Sequence, residues 1–156
     1  MSDQRLWDEI EKLKKKSDRL KTQESGVWTV YSVVWTAATT NPAIGNGTLV
    51  GRYARIGKSV TYGVRLKAGS TTTFGSGVWY FSLPFQAANN TVLYCGSFHI
   101  YNVGTTRYSG IALIAPNETT ITRFARDNTS AWQLHSANPM TWATNDEFDF
   151  TITYEI

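Results

Sequence analysis

Two segments of this sequence alternate strictly between apolar and polar residues, and this feature limits the possible folds more than any other. In the segment 147–156 every second side chain is apolar, namely Phe148, Phe150, Ile152, Tyr154 and Ile156. The segment 59–68 repeats the pattern with Val60, Tyr62, Val64 and Leu66. A period of two places such side chains on one face of a strand. Each segment is therefore predicted to be a β-strand with one face in a core and the other in solvent or an interface.

The residues beyond position 26 predict an all-β domain. Gly57-Lys58 lies between the segments 49–56 and 59–68 and predicts a hairpin. Further strands are predicted at 27–36, 78–83, 92–101, 107–114 and 120–125, separated by turns rich in Gly, Pro and Asn. Roughly seven to nine short strands without a helical period are typical of a β-sandwich, and we expect a jelly-roll-like one.

Aromatic residues and a single cysteine fall inside these predicted strands. Trp28, Trp35 and Trp79 are expected in the core or in contacts between subunits. Cys95 follows three residues of apolar character and is expected to be a small buried side chain. Because the chain has one cysteine, an internal disulfide and a metal site of several cysteines are excluded.

The first 24 residues differ in character from the rest of the chain. They carry seven basic and six acidic side chains, whereas the whole sequence has 15 and 12. The acidic residues come early and the basic residues late, which complements a helix dipole. Residues 2–21 are therefore predicted to be helical. We divide the chain into an N-terminal coiled-coil and attachment helix, 1–24, and a β-sandwich head, 25–156.

A thin apolar stripe runs along the predicted helix. Leu6, Leu13 and Leu20 recur every seven residues, and Ile10 lies between the first two. The stripe suits the a and d positions of a coiled coil. A highly charged helix of this length is marginal alone. These four residues are predicted to join copies of the chain; docking into another protein and a frayed tail are the alternatives. The heptads are too few to decide between a dimer and a trimer, although isoleucine at a with leucine at d favours a two-stranded coiled coil.

The charge pattern limits the partners. The body beyond the helix is nearly uncharged and rich in Thr, Asn and Gly, which suits glycans or protein subunits. Nucleic acid binding needs clustered Lys and Arg, so no nucleic acid partner is expected. No segment approaches the roughly 18 apolar residues of a membrane span, and the charged start does not resemble a signal peptide. We expect synthesis in a cytoplasm without membrane insertion.

No constellation of residues predicts catalysis. Asp146, Glu147 and Asp149 cluster at the start of the last strand, where a solvated edge is expected rather than a carboxylate pair in a cleft. His99 and His135 lack the spacing of metal ligands, and no nucleophile motif occurs. We therefore expect no enzyme activity, no metal site and no cofactor.

Two tryptophans in an irregular polar segment are candidates for ligand binding. Trp132 and Trp142 lie near His135 and Asn138. An exposed ring can stack on the apolar face of a pyranose while neighbouring amides bind its hydroxyl groups. The alternative is that both rings cap an open end of the sandwich.

Four motifs together carry a resemblance to a known family: NPAIGNGTLVGRY at 41–53, IGKSV at 56–60, AGSTTTFGSG at 68–77 and WYFSLP at 79–84. Residues 28–84, with weaker support from 147–156, resemble a β domain of bacteriophage minor tail and tail-fibre proteins. The resemblance implies a component of the virion, usually trimeric, whose distal head contacts the host envelope.

The residues and the resemblance together predict a short trimeric fibre. Its helix would join three copies and attach to other virion proteins of the tail or capsid. Its head would bind the host surface, with glycan as the expected ligand. The protein would be made in the host cytoplasm and reside in the virion. A capsid decoration or head-fibre protein without receptor binding is one alternative. A carbohydrate-binding module or a small glycan hydrolase is another.

Overall fold

The computed structural model describes residues 3–23, 26–126 and 133–156, and these contain one helix and ten strands. The helix α1 spans Asp3–Gln23. The strands are β1 (Thr29–Tyr31), β2 (Trp35–Ala37), β3 (Thr48–Ile56), β4 (Ser59–Lys67), β5 (Trp79–Ser82), β6 (Tyr94–Asn102), β7 (Thr106–Ile114), β8 (Thr120–Ile121), β9 (Arg123–Ala125) and β10 (Glu147–Glu155).

Seven strands form a large antiparallel sheet in the order β1-β3-β4-β10-β6-β7-β9. The last strand, β10, lies in the middle of this sheet, between β4 and β6. Phe150 of β10 is paired with Val64 on one side and with Phe98 on the other. Directly paired residues share a face of a sheet. The alternating apolar residues of the three central strands therefore form one continuous apolar face.

Three short strands form a second sheet in the order β2-β5-β8, and this sheet covers the apolar face of the large one. The ring of Phe81, in β5, lies 5.4 Å from the ring of Phe148 and 5.8 Å from that of Phe150. Trp35, in β2, stacks on Phe81 at 6.1 Å. The core is thus a dense aromatic layer between two sheets, held by edge-to-face and offset ring contacts.

The structure confirms the all-β prediction and its two clearest strands. β4 and β10 bury the alternating residues that the period of two selected. The hairpin between β3 and β4 closes with Ile56 opposite Ser59, and Gly57 supplies the positive φ of 58° that the turn needs. The two sheets are unequal in size, and the jelly-roll form of the sandwich stays a prediction.

Two predicted strands are each divided between the sheets. In the segment 27–36, Tyr31 ends a strand of the large sheet and Trp35 begins a strand of the small one. In the segment 120–125, Ile121 pairs within the small sheet and Arg123 within the large one. The prediction of single strands is wrong in both places, because the chain crosses from one layer to the other there.

One prediction of burial needs correction, and a second is confirmed for two of its three residues. Cys95 is exposed, because in β6 the even-numbered residues such as Phe98 face the core and the odd-numbered ones face outward. Trp35 and Trp79 lie in the core as expected, but Trp28 precedes β1 and is 48% exposed. Its ring is available to a ligand or to another subunit.

Within residues 3–23, 26–126 and 133–156, no helix combines the length and the apolar character that crossing a bilayer requires.

Candidate functional site

The apolar stripe of α1 is accessible in the single chain. Leu6, Leu13 and Leu20 are all largely exposed, with Leu13 at 63%, and Ile10 is half-buried. Trp7, next to this stripe, is 61% exposed and was not among the predicted contact residues. A helix rarely leaves so many large apolar side chains in water unless they meet a partner. The stripe is therefore a candidate surface for self-association.

The rest of the α1 surface is polar and carries basic and acidic side chains in similar numbers. Lys12, Lys15, Lys16 and Arg19 line a shallow depression beside Leu20. The Nζ of Lys12 lies 3.0 Å from Oε1 of Glu9, one turn earlier. Such an exposed pair adds a few tenths of a kcal/mol at most, about 0.3 to 0.5. These charges keep one helix face solvated, so the apolar stripe is the face available for association.

The predicted ligand residues His135 and Asn138 form a tight turn. Their backbones are paired with each other, and the peptide bond from Asn138 to Pro139 is cis. Nδ1 of His135 accepts a hydrogen bond from the Ala137 N–H at 3.2 Å. The side-chain amide of Asn138 donates to the Gln133 carbonyl at 2.8 Å. Both side chains thus already have partners within the turn that they build.

Trp142 belongs to the core rather than to an exposed platform. Its ring is 5% exposed and lies 5.1 Å from the ring of Trp79. Its Nε1–H donates to the His135 carbonyl at 3.1 Å. The expectation of an exposed Trp142 is therefore wrong, and the alternative that its ring caps the core is the one observed. Trp132 lies outside the described residues.

The outer face of the large sheet carries a groove that the sequence did not reveal. We call it the outer groove, and its volume is about 490 Å³. The residues that line it include Trp28, Val50, Arg52, Gly63, Arg65, Asp149 and Thr151. The guanidinium of Arg52 lies 5.9 Å from the centre of the Trp28 ring. A smaller depression of about 150 Å³ continues past Asp149 and Thr151 to Ser97 and His99. Polar side chains from four neighbouring strands thus follow one path across the sheet.

Paired charges line one side of the outer groove. Arg65 lies 2.9 Å from a carboxylate oxygen of Glu147 and 3.8 Å from one of Asp149. Lys67 lies 3.5 Å from Glu147. Burial raises the pKa of Asp149 above its ordinary value; the electrostatic influence of Arg65 and of His99 opposes this effect, and negative Glu147 adds to it. The two signs balance locally, so this side of the groove is polar without a strong net charge.

Asp146 is buried, although a solvated strand edge was predicted for it. Its side chain is almost fully enclosed, and its two oxygens accept hydrogen bonds from the Val103 N–H at 3.0 Å and the Ala143 N–H at 2.7 Å. Asp146 therefore organises turns and does not pair with another carboxylate. Sequence reasoning missed this role because both partners are backbone groups, and one of them, the Val103 N–H, is distant in sequence.

His99 lies on the outer face beside Arg107, with 3.4 Å between its Nε2 and the arginine nitrogen. In the part of the chain that the structure describes, no three His, Cys, Asp or Glu side chains are grouped so that they could hold a metal ion.

The described part of the chain thus consists of a helix and a two-layered antiparallel domain whose outer face carries a groove lined in part by Trp28. Comparison with known proteins confirms the resemblance carried by the motifs: the chain is similar to a phage tail-fibre protein. The relative is the Mu-like prophage FluMu defective tail fiber protein of Haemophilus influenzae (strain ATCC 51907 / DSM 11121 / KW20 / Rd), 31% identical over 127 residues.

The match covers 81% of this chain and 20% of that protein, so the chain spans about a fifth of the length of the relative that it matches. No protein-family model matches the chain, and no solved structure matches it.

Proposed function

We propose that this chain is a structural component of a phage virion that works as a short fibre. The observation that carries the proposal is the similarity to a tail-fibre protein over 81% of the chain. The fold supports it, since a rigid β domain preceded by a charged helix with one apolar stripe suits assembly better than chemistry. The chain acts without catalysis, in contact with other virion proteins.

The helix joins copies of the chain. Leu6, Ile10, Leu13 and Leu20 form the seam, and an exposed stripe of this kind gains stability when identical helices bury it. Three copies are proposed because the family resemblance implies a trimer. The charged side of α1 stays outward and attaches the fibre to other virion proteins.

The β domain carries host recognition. Several weak sites on one fibre, repeated over a particle, hold a surface far more strongly than one site does. A glycan is the proposed ligand, because the outer face of the large sheet offers an aromatic side chain and hydrogen-bonding side chains of both charges. His135 and Asn138, which build their own turn, and Trp132 are the other positions proposed for host contact.

Immunogold electron microscopy of purified particles tests the virion role. Antibody raised against the chain is expected to label the tail of intact particles. Label on the capsid would replace the tail position with a decoration role. Purified particles without label, and without the chain in their mass spectrum, would overturn the proposal.

A further inference from the structure

The outer groove has an open floor because Gly63 stands in the middle of β4. Cross-strand pairing places Gly63 between Arg52 of β3 and Thr151 of β10, on the outer face. Residues on the same face two positions away, such as Thr61 and Arg65, carry full side chains. The missing side chain therefore leaves a depression in an otherwise covered sheet.

Nothing in the fold requires glycine at this position. Gly63 does not have the positive φ of the turn glycines. A Cβ built there would lie 3.5 Å from Oγ1 of Thr151 and 3.7 Å from the Phe150 carbonyl oxygen, which are ordinary contact distances. Glycine inside a strand lowers stability and is typical of places where another molecule approaches the backbone. The depression is thus an unforced feature with a stability cost.

Trp28 forms the aromatic side of the depression. Its ring is 48% exposed, and the Arg52 guanidinium lies 5.9 Å from the ring centre, within the range of a cation–π contact. A half-exposed indole beside an open floor offers a flat apolar surface to one side of a ring-shaped ligand. Opposite it, the Thr151 hydroxyl and the Asp149 carboxylate offer hydrogen bonds to the polar groups at the ligand's edge.

The charges of the groove select among ligands. An anion such as phosphate would meet the Asp149 carboxylate, and a simple cation would meet Arg52 and Arg65. A neutral molecule with apolar faces and hydroxyl edges satisfies all of these groups, and a hexopyranose is such a molecule.

We infer that the outer groove binds a hexopyranose unit of a neutral glycan, with the sugar lying over Gly63 and stacked against Trp28. The Thr151 hydroxyl donates or accepts a hydrogen bond at the sugar's hydroxyl edge, and the Asp149 carboxylate accepts one there. The adjoining depression toward His99 receives the next sugar along the chain. This inference rests on the proposed role of the β domain in host recognition and assigns that role to one site.

The test compares Gly63→Val with Thr61→Val in the full chain. Valine at position 63 fills the floor of the groove and suits a strand, so the variant is expected to fold at least as stably as the parent. Thr61 lies on the same face two residues away and outside the groove, which makes Thr61→Val the matched control. Trp28→Ala removes the aromatic side independently.

The probe is a printed array of bacterial surface polysaccharides, followed by titration of the strongest neutral glycan. Gly63→Val and Trp28→Ala are each expected to weaken its binding by roughly tenfold or more, while Thr61→Val binds like the parent. Thermal unfolding of each variant confirms that the domain is intact.

Three other results would overturn the inference. Unchanged glycan binding in Gly63→Val would place the sugar elsewhere. A lowered oligomeric mass of Gly63→Val would show that the groove is a contact between copies of the chain. Either result would leave the proposed host recognition standing. A parent chain that binds neither the array nor host cells would remove both the groove and host recognition, while the labelling of particles would still decide the virion role.

Discussion

The carboxylate of Asp146 accepts a hydrogen bond from the backbone N–H of Val103 at 3.0 Å, and this contact ties the start of β10 to the end of β6. The second oxygen accepts the Ala143 N–H at 2.7 Å. The Asp146 carbonyl in turn accepts the Ala68 N–H at 2.9 Å, just after β4. One residue thus fixes the chain at the ends of all three central strands.

Asp146→Asn is expected to lower the free energy of unfolding by about 1.5 to 3 kcal/mol, because one of two buried N–H donors would face an amide NH₂ group in place of an oxygen. Urea unfolding at neutral pH measures the loss. Asp149→Asn is the matched control, since it is the same substitution at a position on the outer face of the sheet. An equal loss in both variants would contradict the structural role of Asp146.

Tyr154→Phe is expected to lower the free energy of unfolding by about 1 to 2 kcal/mol. The Tyr154 hydroxyl donates to the Phe85 carbonyl at 2.9 Å and accepts the Phe85 N–H at 3.3 Å, so its removal leaves both backbone groups without this partner. Thermal or urea unfolding gives the value.

Tyr53→Phe is the control for that experiment. The Tyr53 ring contacts the same Phe85 at 5.2 Å, and its hydroxyl makes no hydrogen bond in the described part of the chain. A loss in Tyr53→Phe as large as that in Tyr154→Phe would show that the Tyr154 hydroxyl bonds contribute little.

The sequence predicted the long strands well because their patterns are local. Every second residue of β4 and β10 is apolar, and a period of two alone places those residues on one face. The divided segments could not be predicted in this way. Tyr31 and Trp35 lie four residues apart but belong to different sheets. Tyr31 pairs with Gly51 of β3 and Trp35 pairs with Phe81 of β5, and both partners are distant in sequence.

The site residues were harder to predict for the same reason. Trp142 lies in a polar stretch of sequence, yet its ring packs on Trp79, a contact between residues distant in the chain. The outer groove depends on Gly63 standing opposite Thr151, a register that only the folded sheet sets. The glycine at position 63 of a strictly alternating strand was the one signal of the groove in the sequence. Glycine inside a strand lowers stability and often marks a place where another molecule approaches the backbone.

The stability of the domain is expected to carry a pH-dependent component from Asp149. Its pKa is raised in the folded state, chiefly by burial, so between the ordinary carboxyl value of 3.8 and the raised value the folded chain binds more protons than the unfolded chain. The free energy of unfolding contributed by this group therefore falls as pH rises through that window.

Asp149→Asn removes the titration. Urea unfolding of the parent and the variant between about pH 3.5 and pH 7 isolates the component as the difference between their free energies of unfolding. The parent is expected to lose stability relative to the variant as pH rises. A relative gain for the parent would mean that attraction to Arg65 outweighs burial.

The proposed fibre depends on self-association of the chain through the apolar stripe of α1. Sedimentation equilibrium of the full chain tests it most directly, with Leu13→Gln as the disrupting variant and Lys15→Gln, on the polar side of the same helix, as the control. The parent and Lys15→Gln are expected to have three times the chain mass of 17.5 kDa, and Leu13→Gln is expected to dissociate toward a single chain. A parent chain that sediments as a monomer at all concentrations would contradict the account.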